Sequence, residues 1–149
     1  MIHERFETFT VLINRISRNI RKIKNREMTE YNLRSPHISC LYYIYSLDKA
    51  TATDLCERCE EDKATISRAL EYLEDNSYIV CEARNAKRYK TPLLLTEKGR
   101  EVGKKIADKI ETVLSAISGS MTEQERIAFY RSLAAVSESL EAVSKVSGE

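Results

Sequence analysis

The chain has 149 residues, 42% hydrophobic and 32% charged, which suits one globular domain with a core large enough to need no disulfide staples. Lys and Arg number 24 against 23 Asp and Glu, so the net charge of +1 identifies no class of partner and the placement of charge must decide. Four Gly and two Pro exclude a turn-rich all-β pattern, and no apolar run approaches the length of a membrane span.

Phe6, Phe9, Ile13, Ile16, Ile20 and Ile23 recur at spacings of three and four, predicting one long amphipathic helix of roughly 35 Å at ~1.5 Å per residue. Its end is basic (Arg18, Arg21, Lys22, Lys24, Arg26), as the helix dipole favours. Ser35-Pro36 reads as an N-cap followed by proline in the first turn. The helix it opens has Ile38, Leu41, Tyr42 and Tyr45 on one face and Cys40, Ile44 and Leu47 on another, so it should be covered on more than one side.

Thr51 with Asp54 forms a capping sequence for a short helix whose stripe is Ala52, Leu55, Cys56 and Cys59. Asp62 then caps a further helix with Ile66, Leu70 and Leu73 facing inward. Tyr78–Ala83 and Thr91–Leu95 are β-prone runs that read as a hairpin, with Pro92 placing its strand at an edge or leaving it only partly paired. Thr96 caps a helix along Val102, Ile106, Ile110, Val113 and Ile117, and Thr122 with Glu125 boxes a last one through Ile127, Tyr130, Leu133, Val136, Leu140 and Val143. The expected fold is mainly α with a small β-hairpin wing, an α+β arrangement in which residues 51–95 form a winged helix-turn-helix.

The second helix of that unit leaves Lys63, Thr65, Ser67, Arg68 and Tyr72 pointing away from the core. Arg68 suits direct reading of a guanine edge, Thr65 and Ser67 suit phosphates or bases, and Lys63 suits phosphate. Taken singly these residues also fit an ordinary solvated helix face. The segment Arg84-Asn-Ala-Lys-Arg-Tyr-Lys90 tips the balance, because Arg84, Lys87, Arg88 and Lys90 put four cations and no anion on the hairpin tip. Asp54, Glu57, Glu60, Glu61 and Asp62 crowd the preceding turn, which a phosphate-contacting surface must avoid.

Leu55-Cys-Glu-Arg-Cys-Glu-Glu-Asp-Lys-Ala-Thr-Ile-Ser-Arg-Ala-Leu70, Leu73-Glu-Asp-Asn-Ser-Tyr-Ile79 and Leu95-Thr-Glu-Lys-Gly99 together resemble the MarR family of bacterial regulators. The resemblance spans nearly the whole chain and implies a single MarR-like domain, 1–149. Residues 1–30 and 97–147 would be dimerisation helices, 34–48 a connecting helix, and 51–95 the reader of double-stranded DNA at a pseudo-palindromic operator. It further implies a homodimeric transcriptional regulator, a repressor in the first instance, modulated by a small-molecule effector or by oxidation. Arg34, Tyr42, Tyr43 and Tyr45 are its candidate effector pocket, although aromatics at helical spacing also fit a core. Arg88 matches the family's wing arginine, but Asn85, Ala86 and Lys87 stand where an acidic residue is common.

Other classes are less well supplied. A phosphate loop, a nucleophile elbow and a paired metal motif are all missing, which argues against an enzyme, and neither a metal nor a cofactor is expected. Cys56-Glu-Arg-Cys59 lacks a second pair for a zinc site, and its position on an apolar stripe favours packing. His37 and Cys40 are spaced to share a metal, yet His3 is the other histidine of the chain, so partial burial is the expectation for His37. A helical protein-interaction module, or a metal or thiol sensor on the same scaffold, is the alternative. The charged amino terminus and the cysteine usage predict reduced thiols and a cytoplasmic protein without membrane attachment.

Overall fold

In the computed structural model, which describes residues 1–82 and 89–146, the N-terminal stripe does not run through one uniform α-helix. Helix α1 (Ile2–Phe6) passes through a π-helical turn (Glu7–Leu12) into α2 (Ile13–Glu27). The hydroxyl of Thr8 donates to the carbonyl of Glu4 at 3.0 Å, and that of Thr10 donates to Phe6, so two carbonyls of the ladder are shared with side chains where the register widens. The apolar face survives the change and remains largely uncovered, with Phe6 61% and Ile16 55% exposed.

The chain leaves α2 through a 3-10 turn (Thr29–Tyr31), reverses at Asn32 with φ 55°, and buries Met28 and Leu33 on either side. Asn25 Oδ1 accepts from the Ser35 amide at 2.8 Å and Lys24 Nζ donates to Ser39 Oγ at 2.9 Å, which fastens the end of α2 to the start of the next helix. That helix, α3 (Ser35–Ser46), begins one residue earlier than the Ser-Pro pattern suggests: Arg34 is the N-cap, and its amide donates to His37 Nδ1 at 3.0 Å. Ile38, Cys40, Leu41 and Ile44 are buried, so α3 is the central helix.

His37 accepts that bond only when neutral, and partial burial, aided by the Arg34 guanidinium, holds its pKa below the usual imidazole value. The unfolded chain therefore takes up the proton first as pH falls, and stability should drop below about pH 6.5. Melting temperatures measured between about pH 7 and about pH 5 should show this loss. His37→Gln, whose amide oxygen accepts the Arg34 bond at every pH, should lose less over the same interval; an identical profile would exclude His37 as a source.

Helix α4 (Ala52–Arg58) is opened by Thr51 and Asp54 bonding reciprocally, amide to side chain, at 2.8 and 3.3 Å. Helix α5 (Lys63–Asp75) follows a turn with Glu60 at φ 53°, and Asp62 Oδ1 accepts from the Thr65 amide at 2.7 Å. Strands β1 (Ile79–Val80) and β2 (Leu94–Leu95) pair antiparallel, Ile79 with Leu95 and Val80 with Leu94. Both are shorter than the β-prone runs, and Pro92 lies outside the ladder. Leu93 instead donates its amide to the Ala50 carbonyl at 2.8 Å, tying the returning segment to the loop before α4.

Helix α6 (Glu97–Ser118) starts on Thr96, whose hydroxyl accepts from the Gly99 amide at 3.0 Å. Gly99, Val102, Gly103 and Ile106 are buried, and the two glycines let the helix backbone close on its neighbours. A Cβ on Gly99 would sit 1.9 Å from the Tyr78 carbonyl oxygen, and one on Gly103 would sit 2.9 Å from Tyr45 Cβ. Lys105 reaches the Tyr31 hydroxyl at 2.9 Å and Lys109 reaches the Glu27 carbonyl.

The chain divides into two compact units, Met1–Lys109 and Ile110–Glu149. The first holds the core. In the second, Thr122 and Glu125 form the expected capping box ahead of α7 (Glu123–Val146), a 24-residue helix with no buried residue. Among the described residues no helix is long and apolar enough to cross a membrane.

Candidate nucleic-acid interface

Ile66, Ala69, Leu70 and Leu73 turn one side of α5 into the core, and the 3.6-residue period then obliges Lys63, Thr65 and Arg68 to face outward or along the rim. Lys63 and Arg68 are exposed, and Thr65 and Ser67 are half-buried. Thr65 is engaged in the cap: its amide bonds Asp62, and its Oγ1 accepts from Arg68 Nη2 at 3.3 Å. The Asp62 carboxyl is held below the usual range by these Thr65 bonds, and Asp54 by those to Thr51. Two of the five acidic groups near the turn are thus occupied in starting helices.

Tyr72 does not join this surface. Its ring stacks on His37 with centroids 4.2 Å apart, and its hydroxyl donates to the Asn32 carbonyl at 2.9 Å, so it braces α5 against α3. Helical spacing alone could not reveal this, because the partner lies 35 positions away.

Tyr89 takes the place that Tyr72 was expected to have. Its hydroxyl lies 3.2 Å from Ser67 Oγ, the Lys63 ammonium sits 4.3 Å from its ring centroid, and its carbonyl accepts from Thr53 Oγ1 at 3.0 Å. These contacts dock the returning end of the hairpin on α5 and on the first turn of α4. The signal for it was present as the one aromatic residue within the cationic run, where a ring has no role as a charge. Lys90, beside it, is exposed; Arg84, Lys87 and Arg88 lie outside the described residues.

The residues expected around an effector are partly dispersed. Tyr42 and Tyr43 meet edge to face at 5.2 Å, Tyr45 packs on Gly103, and Arg34 caps the opposite end of α3, roughly 12 Å away at 1.5 Å per residue. No disulfide joins the four cysteines, and among the described residues no group of three or more His, Cys, Asp or Glu is placed to hold a metal ion.

Residues 37–114, just over half of the chain, match the family profile described as a winged helix DNA-binding domain. Similar solved structures include NMB1585, a MarR family regulator from Neisseria meningitidis, with TM-score 0.80, 18% identity, and coverage of 95% of this chain and 96% of that one. A MarR family transcriptional regulator from Listeria monocytogenes, complexed with 26mer DNA, superposes with TM-score 0.75 at 28% identity over 86% and 85% of the two chains. The S. aureus MepR–DNA complex gives TM-score 0.76 at 18% identity over 89% and 97%. A search of curated proteins returned no match. The fold is similar to that of these MarR family proteins, and the chain belongs to the winged helix DNA-binding domain family.

Proposed function

We propose that the chain is a homodimeric, sequence-specific transcriptional regulator of the cytoplasm, a repressor that binds a pseudo-palindromic operator and is released by a small effector or by oxidation. The observation that carries this reading is the outward face of α5, where Lys63 and Arg68 stand opposite the buried Ile66, Leu70 and Leu73 and the hairpin is docked by Tyr89. In this reading α5 enters the major groove, Arg68 reads base edges, Thr65 and Ser67 hold phosphates or bases, and Lys63 holds phosphate. Arg84, Lys87, Arg88 and Lys90 reach the adjacent minor groove or backbone. The DNA complexes of the Listeria and MepR neighbours support DNA as the partner.

Residues 1–30 and 97–147 serve the dimer, 34–48 connect, and 51–95 read DNA, with half-sites about 34–36 Å apart. The exposed stripe on α1 and α2 and the absence of any buried residue on α7 support a second copy as the missing cover. The effector is placed against Arg34, Tyr42, Tyr43 and Tyr45, and acts by favouring one separation of the two reader helices.

Fluorescence anisotropy with duplexes from upstream of the protein's own gene, titrated across salt, tests the reading. Specific binding should weaken steeply with salt, and Arg68→Ala should cost about 1–3 kcal/mol on the preferred duplex while leaving a scrambled one nearly unaffected. Lys63→Ala should instead weaken both and lower the salt slope by about 1. Binding that ignores salt, or unchanged affinity in both variants, would move the weight to a protein-interaction module.

A further inference from the structure

A hydroxyl inside a helix often gives its proton to the carbonyl four residues back, as Thr8 does to Glu4 at 3.0 Å and Ser139 does to Ala135 at 2.8 Å. Ser67, on the outward side of α5, does not. Its hydrogen-bond partner among the described residues is the hydroxyl of Tyr89, 3.2 Å away and 22 positions later, on the returning side of the hairpin. Tyr89 is fixed from two other sides, since its carbonyl accepts from Thr53 Oγ1 at 3.0 Å and its ring lies 4.3 Å from the Lys63 ammonium. Its hydroxyl therefore meets Ser67 from a set direction.

Each of the two hydroxyls has one proton and can also accept, so the pair is ordered one way or the other. A phenol is the stronger acid and the better donor, and a cation over its ring draws electron density from it. With Tyr89 donating, the Ser67 oxygen is satisfied from within the protein and the serine proton is left for an acceptor outside it. Ser67 is half-buried, one turn on from the exposed Lys63 and next to the exposed Arg68, so that acceptor would lie among the contacts of the reading face.

We propose that Tyr89 is a positioning residue for base reading: its hydroxyl donates to Ser67, and Ser67 in turn donates to an acceptor on a base edge in the major groove. A purine N7, a guanine O6 or a thymine O4 supplies such an acceptor. Linked hydrogen bonds polarise one another, so the serine is a stronger donor in this chain than alone. Lys63 cannot replace it, because an ammonium with three rotating protons follows charge, whereas a hydroxyl whose oxygen is already engaged has its one proton aimed. This role rests on the DNA binding proposed above and narrows the partner of Ser67 from phosphate or base to base alone.

A double-mutant cycle of Tyr89→Phe and Ser67→Ala in the full chain tests it, read by fluorescence anisotropy on a duplex from upstream of the protein's own gene and on the same duplex scrambled. Tyr89→Phe removes the hydroxyl and keeps the ring under Lys63. Each single variant should bind the upstream duplex about 3–10-fold more weakly, the worth of one hydrogen bond. The double variant should bind no more weakly than the poorer single one, because both changes break the same chain. Affinity for the scrambled duplex and the salt slope should stay at the parent's values in all three, since no cation is lost. Urea midpoints should match the parent's, so that the losses report the interface and not the fold.

Additive losses would overturn the proposal, as would a Tyr89→Phe protein that binds like the parent while Ser67→Ala does not. A shallower salt slope in Tyr89→Phe, with equal loss on both duplexes, would make the phenol an anchor for the cationic hairpin and overturn its part in base reading. A parent protein without preference for the upstream duplex would remove the proposed function and this role together. A parent that keeps the preference while the cycle is additive would remove this role alone.

Discussion

Gly99→Ala is expected to cost about 3 kcal/mol of stability, at the upper end of what an overpacked site loses. The added Cβ would lie 1.9 Å from the Tyr78 carbonyl oxygen and 2.9 Å from its carbon, and both are backbone atoms that no rotamer change can move aside. That carbonyl is already committed, accepting from the Thr96 amide at 3.1 Å in the corner where β2 turns into α6. Relief would have to separate α6 from the segment joining α5 to β1, exposing Val102 and Ile106, which are buried one and two turns further on. A helical alanine is otherwise better than glycine by about 1 kcal/mol, so a loss of this size would isolate the steric term. Urea unfolding measures it directly, and a variant as stable as the parent would show that the close approach is relieved at little cost.

The second large effect concerns the proposed dimer. Helix α7 buries nothing, and Ile127 and Leu133 on its apolar stripe are 49% and 45% exposed. A surface helix of this length keeps its shape by covering such a stripe, since propensity alone is marginal. Leu133→Asp should therefore dissociate the dimer. An unpaired carboxylate in a covered apolar face costs about 3–5 kcal/mol, and two-fold symmetry introduces it twice. Light scattering after size exclusion should report a monomer, and affinity for the preferred duplex should fall by at least about a hundredfold as two linked half-site contacts become separate events. A variant that remains a dimer would place the interface elsewhere.

Features decided within a few residues were legible in the sequence. The caps at Thr51, Asp62, Thr96 and Thr122 depend on an oxygen meeting an amide two or three positions on, and all four form. The buried residues of α5 follow from the helical period. What escaped depends on partners remote in sequence or on connectors. Met28, Leu33 and Tyr78 are core residues in turns, where no periodicity marks an inner face. His37 with Tyr72, and Tyr89 with Lys63 and Ser67, are pairs that the fold brings together. At the start of α3, Ser-Pro pointed to the right place but the wrong capping residue, because the side chain three positions on, His37, bonds the amide of Arg34.

The ring of Tyr89 beneath Lys63 has a bearing on entropy. A lysine side chain free in solvent carries about 2 kcal/mol of rotamer freedom, which an anion must remove in order to hold it. Over the ring, 4.3 Å from its centroid, the ammonium has already given up part of that freedom when the chain folds, while the residue as a whole stays exposed. In the proposed DNA complex an arriving phosphate would therefore meet a donor ordered in advance, and that ordering would be a cost of folding rather than of association.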